Sequence, residues 1–327
     1  MTDSESNPAF AVQADVRGPW RRYLDALAPL RPALHRYCCR LTGNVWDGED
    51  LMQDALLRVF GLLGKIDRDL ENPKAYFIRT ATHLWIDEQR RLARHRDWQS
   101  SLADDASGSA SAERRLELQQ AASILLRRLP PRERAAVLMR EVLDLSAKES
   151  AALLQTSEGA VKAALHRGRE RLLTQPTHAD DRPVPPPALV DRFLKALSAQ
   201  DMATMQTICS SDLEVELVGG ARIDNFEDSK TFFGHAHMVF PPEYAAIARA
   251  MVLGTDPHWR ACDYHGERIV LGFRTFDGVD GLNEIHRIDE VEGTIARIRC
   301  YCFAPDTLAA VAEELGLVAL RKPYRSP

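Results

Sequence analysis

"LSAKESAALLQTSEGAVKAALHRGRERLL", Leu145–Leu173, holds two short helical patterns separated by a break at "QTS". Ser146 and Glu149 have capping-box spacing, in which the hydroxyl and the carboxylate satisfy free backbone donors at a helix start. That helix is expected to run to about Leu154. Ser157 can then cap a second helix with Val161, Ala164, Leu165 and Leu172 inward. Lys162, His166, Arg167, Arg169 and Arg171 fall largely outward. Two short helices joined by a tight turn, the second basic, have the layout of a helix-turn-helix. A solvated basic face would give the same charge pattern, so the stretch alone leaves both readings open.

Working outward, the segment just before it, "ERRLELQQAASILLRRLPPRERAAVLMREVLDL", predicts one helix ending before Pro130-Pro131 and another after it. Further back, "WRRYLDALAPLRPALHRYCCRLTG" spaces Leu24, Leu27, Leu34 and Tyr37 at helical intervals, with Gly43 as a stop. "DGEDLMQDALLRVFGLL" places Leu51, Ala55, Leu56, Val59 and Phe60 on one face, beside Asp50, Gln53 and Asp54. Asn72-Pro73 opens a long helix that carries Tyr76, Phe77, Trp85 and a basic end. Its aromatic and basic residues suit unstacked bases and phosphates, although Phe77, Leu84 and Trp85 equally suit a core.

Toward the C-terminus the period changes. A helix at "PALVDRFLKALSAQDMATMQTICSS" precedes short stretches that alternate or run apolar between Gly, Asp and Asn. These predict an α+β domain with a mostly antiparallel sheet. The divisions are 1–19 disordered, 20–97 helical, 98–112 flexible linker, 113–174 helical, 175–187 Pro-rich spacer, 188–318 α+β, and 319–327 tail. The linker, at "DWQSSLADDASGSASAE", is rich in Ser, Ala and Asp, and the spacer, at "TQPTHADDRPVPPP", holds five prolines.

Charge is unevenly placed over the 327 residues. Trp20–Trp98 has 14 Lys/Arg against 11 Asp/Glu, and Glu113–Leu173 has 12 against 8. From Ala188 onward the balance is 14 against 21, so this part would be repelled by a polyanion that the first two could approach. No apolar run is long enough for a transmembrane helix, and "MTDSESNPAF" has neither the basic start nor the apolar core of a signal peptide. A cytoplasmic protein with no membrane contact is expected. Cys38, Cys39, Cys209, Cys262, Cys300 and Cys302 form no C-x-x-C pairs, so neither zinc nor another metal is expected, nor any cofactor. Cys300 and Cys302 share a strand face and suit buried thiols.

The ordered set "DGEDLMQDALLRVF", "NPKAYFIRTATHLWIDEQRR" and "LRRLPPRERAAVLMREVLDLSAKESAALLQTSEGAVKAALHRGRERL" resembles bacterial sigma factors of the extracytoplasmic-function (ECF) group over about Trp20–Leu173. The resemblance implies sigma region 2 over 20–97 and region 4 over 113–174. It implies core RNA polymerase as partner, through its β′ clamp and β flap, and Asp50, Leu51, Gln53 and Asp54 as the clamp contact. It implies promoter DNA as the second partner: Tyr76, His83, Trp85, Asp87, Arg90 and Arg91 at the −10 element, and Ser157, Glu158, Lys162, His166, Arg167 and Arg169 at the −35 element. The family usually has Arg-Asn where Thr82-His83 stand here, while Leu84, Asp87, Arg90 and Arg91 match.

The C-terminal layout, closing on "VEGTIARIRCYCFAPDTLAAV", resembles SnoaL-like domains of the nuclear-transport-factor-2-like superfamily. That implies a curved sheet over an open cone, a regulatory role, and a pocket for a small molecule near Asp263, His265, His286 and Asp289. His286 and Asp289 are three apart, so a strand would point them to opposite faces. A non-enzymatic alternative sigma factor tuned by its C-terminal domain is the expected function. A ligand-sensing helix-turn-helix regulator and a DNA-binding module fused to a cyclase-like enzyme are the alternatives. The sequence leaves open whether a separate anti-sigma factor binds.

Overall fold

A computed structural model describes residues 23–63, 72–99, 129–174, 186–199, 201–220, 222–229, 258–276 and 278–320. The expected disordered N-terminus, most of the linker, the helix before Pro130 and most of the spacer lie outside these residues. The chain divides into two units, Met1–Asp180 and Asp181–Pro327.

The first unit is helical among its described residues: α1 Arg31–Thr42, α2 Val45–Leu63, α3 Pro73–Gln99, α4 Pro131–Glu141, α5 Ala147–Leu153 and α6 Glu158–Thr174. Its boundaries follow local chemistry. α1 stops at Gly43, whose φ of 94° is left-handed and whose N–H donates to the Cys39 carbonyl. Asn44 then starts α2 by accepting from the Asp47 N–H at 2.8 Å and donating back to its carboxylate. Asn72 starts α3 by accepting from the Ala75 N–H at 2.9 Å, as the Asn-Pro pair predicts. α3 continues to Gln99, past the expected start of the linker.

Leu24, Leu27, Leu34, Tyr37, Leu51, Met52, Leu56, Val59, Phe77, Ile78 and Trp85 make a common core, joined by Leu138 and Met139 of α4. The close approach of α1 and α2 depends on Gly48, where a Cβ would meet Cys39 backbone and sulfur at 2.6–2.7 Å. Beside this contact, His35 and Glu49 are buried and paired at 3.3 Å. Arg134 at the start of α4 is also buried. Its guanidinium donates to the Leu41 carbonyl at 2.7 Å, at the C-terminus of α1, and lies over the Trp85 ring at 5.1 Å.

Among its described residues the second unit carries α7 Pro187–Ala199, α8 Met202–Ile208, six strands and α9 Pro305–Leu315. One continuous helix is expected from Pro187 to Ser211. Instead Asp201 interrupts it by accepting from the Thr204 N–H at 3.0 Å, and a strand begins at Cys209. The strands are β1 Cys209–Leu217, β2 Arg222–Asp224, β3 His258–Tyr264, β4 Glu267–Phe276, β5 Val279–Val291 and β6 Thr294–Cys300. They form one sheet in the order β2-β1-β6-β5-β4-β3. Among the described strands, β1 and β6 pair in parallel and the other neighbours are antiparallel, so the sheet is mostly antiparallel, as the alternation predicts. Leu189, Val190, Phe193 and Leu197 of α7 pack with Val215, Leu217, Val270, Ile288, Ile298 and Cys300 of the sheet.

Candidate nucleic-acid interface

Three helices of the first unit carry most of the polar residues singled out in the sequence. On α2, Gln53 and Asp54 lie three and four residues after Asp50, and Leu57 four and three after them, which places all of them on one face. Gln53 donates to the Glu49 carboxylate at 2.6 Å. Partial shielding by its neighbours, and then the Glu88 carboxylate of α3, push the Asp54 pKa up. Leu51 does not belong to this face. It is buried in the helical core, because the apolar stripe of the helix takes it inward. The exposed apolar member is Leu57, at 58%. Sequence reasoning passed over it, although its place seven residues after Asp50 was a usable signal.

On α3, Tyr76, Thr80, His83, Asp87, Arg90 and Arg94 form a second stripe at steps of three and four. The Arg79 guanidinium lies 4.9 Å from the Tyr76 ring centroid. Arg90 pairs with Asp87 at 3.3 Å, and Arg91 with Glu88 at 2.6 Å. Trp85 is a correction. It is 5% exposed and covered by Arg134, so it is core and has no free face for a base. The Thr82-His83 pair divides in role. Thr82 is buried and shares a 2.7 Å hydrogen bond with the Tyr37 hydroxyl, while His83 stays half-buried on the outer stripe. Thr82 therefore serves the core in this chain, and His83 is the member of the pair that stays accessible.

The helix-turn-helix is formed by α5, a turn with Gln155 at φ 50°, and α6. The capping box at Ser146 is present in both directions, and Ser157 accepts from the Ala160 N–H at 3.2 Å. Ser157, Glu158, Gly159, Ala160, Lys162 and Ala163 are exposed, giving α6 a low-profile first turn through which a backbone or base edge can come close. Glu158 and Lys162 pair at 2.7 Å, and His166 stands 3.8 Å from Glu170. Further along, the basic residues turn back onto α4. Arg167 and Arg171 both reach Glu133, at 2.9 and 3.4 Å, and Arg169 pairs with Glu141. Glu133 itself is buried.

The four pocket residues expected in the second unit do not converge. Asp263 is exposed and paired with Arg268 at 3.0 Å. His265 sits in the β3–β4 turn at φ 51° and bonds Glu314 at 2.7 Å. Asp289 is exposed near the end of β5, while His286 is fully buried, so the alternation expected between them holds. His286 has other neighbours, Glu284 and Cys300, discussed below. Sequence spacing missed Cys300 because it comes from the next strand.

Residues 27–95 match the Sigma-70 region 2 family and residues 120–172 match Sigma-70 region 4. ECF RNA polymerase sigma factor SigF of Caulobacter vibrioides is 33% identical over 189 residues, covering 55% of this chain and 99% of SigF. The chain belongs to the ECF RNA polymerase sigma factors. Within this family, ECF sigma factor SigJ of Mycobacterium tuberculosis is 27% identical, covering 56% of the chain and 61% of SigJ. The match thus spans less than two thirds of SigJ's own length. A solved NTF-2 like protein of unknown function from Burkholderia xenovorans LB400 is 11% identical with a TM-score of 0.26, covering 42% of the ECF chain and 84% of its own. Among the described residues of this ECF family member, no helix is long and apolar enough to cross a membrane.

Proposed function

We propose that the chain is an alternative sigma factor, which binds core RNA polymerase and directs it to a −35/−10 promoter. The observation that carries this is the α2 stripe of Asp50, Gln53, Asp54 and Leu57, in which Asp54 and Leu57 are exposed and Asp50 and Gln53 half-buried. A self-sufficient DNA-binding regulator needs a reading helix but no second docking face of acidic and apolar residues. Leu57 supplies the apolar contact and the carboxylates the charge for a basic polymerase surface. The α3 stripe from Tyr76 to Arg94 would meet the −10 strand. Tyr76 offers a ring for stacking, and Arg90 and Arg94 meet phosphate. The first turn of α6 would read −35 base edges, with Arg167 and Arg169 on the backbone. The work is recruitment and strand separation, with no covalent step. The acidic C-terminal unit, SnoaL-like in layout, tunes this activity and works in the cytoplasm with the rest of the chain.

Run-off transcription with purified core enzyme tests the reading. Promoter-dependent transcripts are expected only when the chain is added, and their absence from every candidate promoter, its own included, would refute it. Reversing charge at Asp50 and Asp54 (D50K, D54K) should weaken core binding by about tenfold or more, as one lost charged contact of about 1.4 kcal/mol predicts. Binding to a −35 duplex should stay unchanged. Equal loss of both would move the docking face elsewhere.

A further inference from the structure

The inner face of β5 and β6 carries three groups that an apolar core does not need. Glu284 and His286 are two apart on β5 and so share a face. Cys300 on β6 stands directly opposite His286 in the antiparallel register. Their exposures are 1%, 0% and 0%. His286 Nε2 lies 3.3 Å from Glu284 Oε2, and Cys300 Sγ lies 3.7 Å from the same oxygen and 4.0 Å from the same nitrogen. Among the described residues, this is the group of three such donors close enough together to hold a metal ion.

Those spacings can be set against the edges of a tetrahedral metal site. A tetrahedral zinc, with bonds of about 2.0 Å to nitrogen and oxygen and about 2.3 Å to sulfur, has donor–donor edges of roughly 3.3 Å for N–O and roughly 3.5 Å for edges to sulfur. The triangle of 3.3, 3.7 and 4.0 Å is close to such a face, opened slightly at the sulfur.

The surroundings favour the same ion. Trp259 lies edge-on to His286 at 5.1 Å, and Phe193 of α7 stands 6.0 Å away. Gly272 makes room: a Cβ there would meet the Trp259 ring at 2.4 Å and Glu284 Cγ at 2.6 Å. Asn283 donates to the other Glu284 oxygen, Oε1, at 3.4 Å. A mixed N, O, S set within an apolar shell suits zinc and disfavours calcium or magnesium, which need six or more oxygens.

We propose that Glu284 Oε2, His286 Nε2 and Cys300 Sγ form a zinc site that clasps β5 to β6 inside the C-terminal unit. Carboxylate, thiolate and neutral imidazole together balance the dication, so no net charge is left in the core. Metal binding releases the Cys300 thiol proton to solvent as the sulfur–metal bond forms. The proposal is independent of sigma activity, because metal binding is measured directly.

The test uses the full chain, reduced, stripped with a chelator, and titrated with cobalt(II) and then zinc(II). One cobalt per chain is expected, with a thiolate-to-cobalt charge-transfer band and the intense visible bands of tetrahedral cobalt, both displaced by zinc. Cys300→Ser and His286→Gln should abolish the band, and Cys39→Ser and Cys262→Ser should keep it. A band absent from the wild type, surviving Cys300→Ser, or lost in Cys39→Ser would overturn the site. If circular dichroism shows that the core variants do not fold, the wild type decides. A stoichiometric, zinc-displaceable band with a raised Tm supports the site, and the lack of either refutes it.

Discussion

His35 and Glu49 carry opposite charge into a space with almost no solvent. Burial alone would lower the His35 pKa, but the Cys39 sulfur beside the ring and the Glu49 carboxylate outweigh it and lift it to about 10. Burial alone would raise that of Glu49, and the hydrogen bond and charge of His35 hold it below its ordinary 4.5. A raised imidazole pKa stabilises the fold fully below about pH 6.5 and less as pH climbs toward 10. A lowered carboxyl pKa stabilises it above 4.5 and less as pH falls. The stability gap between the wild type and the charge-free H35Q/E49Q double variant should therefore be widest between about pH 4.5 and 6.5. It should narrow by roughly 3–5 kcal/mol toward pH 10, at about 1.4 kcal/mol per unit. Urea unfolding across that range measures it, and a gap that does not vary with pH would show that the pair titrates as it does in the unfolded chain. Neither partner could be read as paired from sequence, since they lie on different helices 14 positions apart.

At the scale of elements, sequence was most informative where backbone chemistry is local. Gly43, Asn72-Pro73 and the Ser146–Glu149 box each mark an end because their partners lie within four residues. It was least informative where one helix meets another. Leu51 and Trp85 look like contact residues in a motif and are core in the packing. Leu57 and Thr80 look unremarkable and are on the outer faces. The pocket residues failed for the same reason, since strand register brings Cys300 to His286 and leaves Asp263, His265 and Asp289 apart. Arg134 shows what such contacts hold. It places a cation at the C-terminus of α1, where the last carbonyls lack helical partners, and over the Trp85 ring. Arg134→Met should cost about 2–4 kcal/mol, from a charged hydrogen bond and a desolvated cation–π contact. The variant should also raise Trp fluorescence quenching by acrylamide as Trp85 is uncovered. A variant as stable as the wild type would show that apolar packing alone seats α4.

Across the whole molecule, charge changes sign along the sequence, which sets an expectation for the proposed DNA binding. The excess of seven acidic residues from Ala188 onward, 21 against 14, acts at long range on any polyanion nearby. Removing residues from Pro185 should raise affinity for −35 duplex several-fold at low ionic strength, with the difference vanishing near 0.5 M salt as screening shortens its reach to about 4–5 Å. Fluorescence anisotropy over a salt series would show it, and a difference independent of salt would point to direct contact instead. Glu133 bears on the same encounter. Two arginines share this one buried anion, so either can leave for a phosphate while the other stays behind. The carboxylate is never abandoned in the interior. In the proposed −35 contact, α6 could therefore engage phosphate with one guanidinium at a time while the other keeps Glu133 paired.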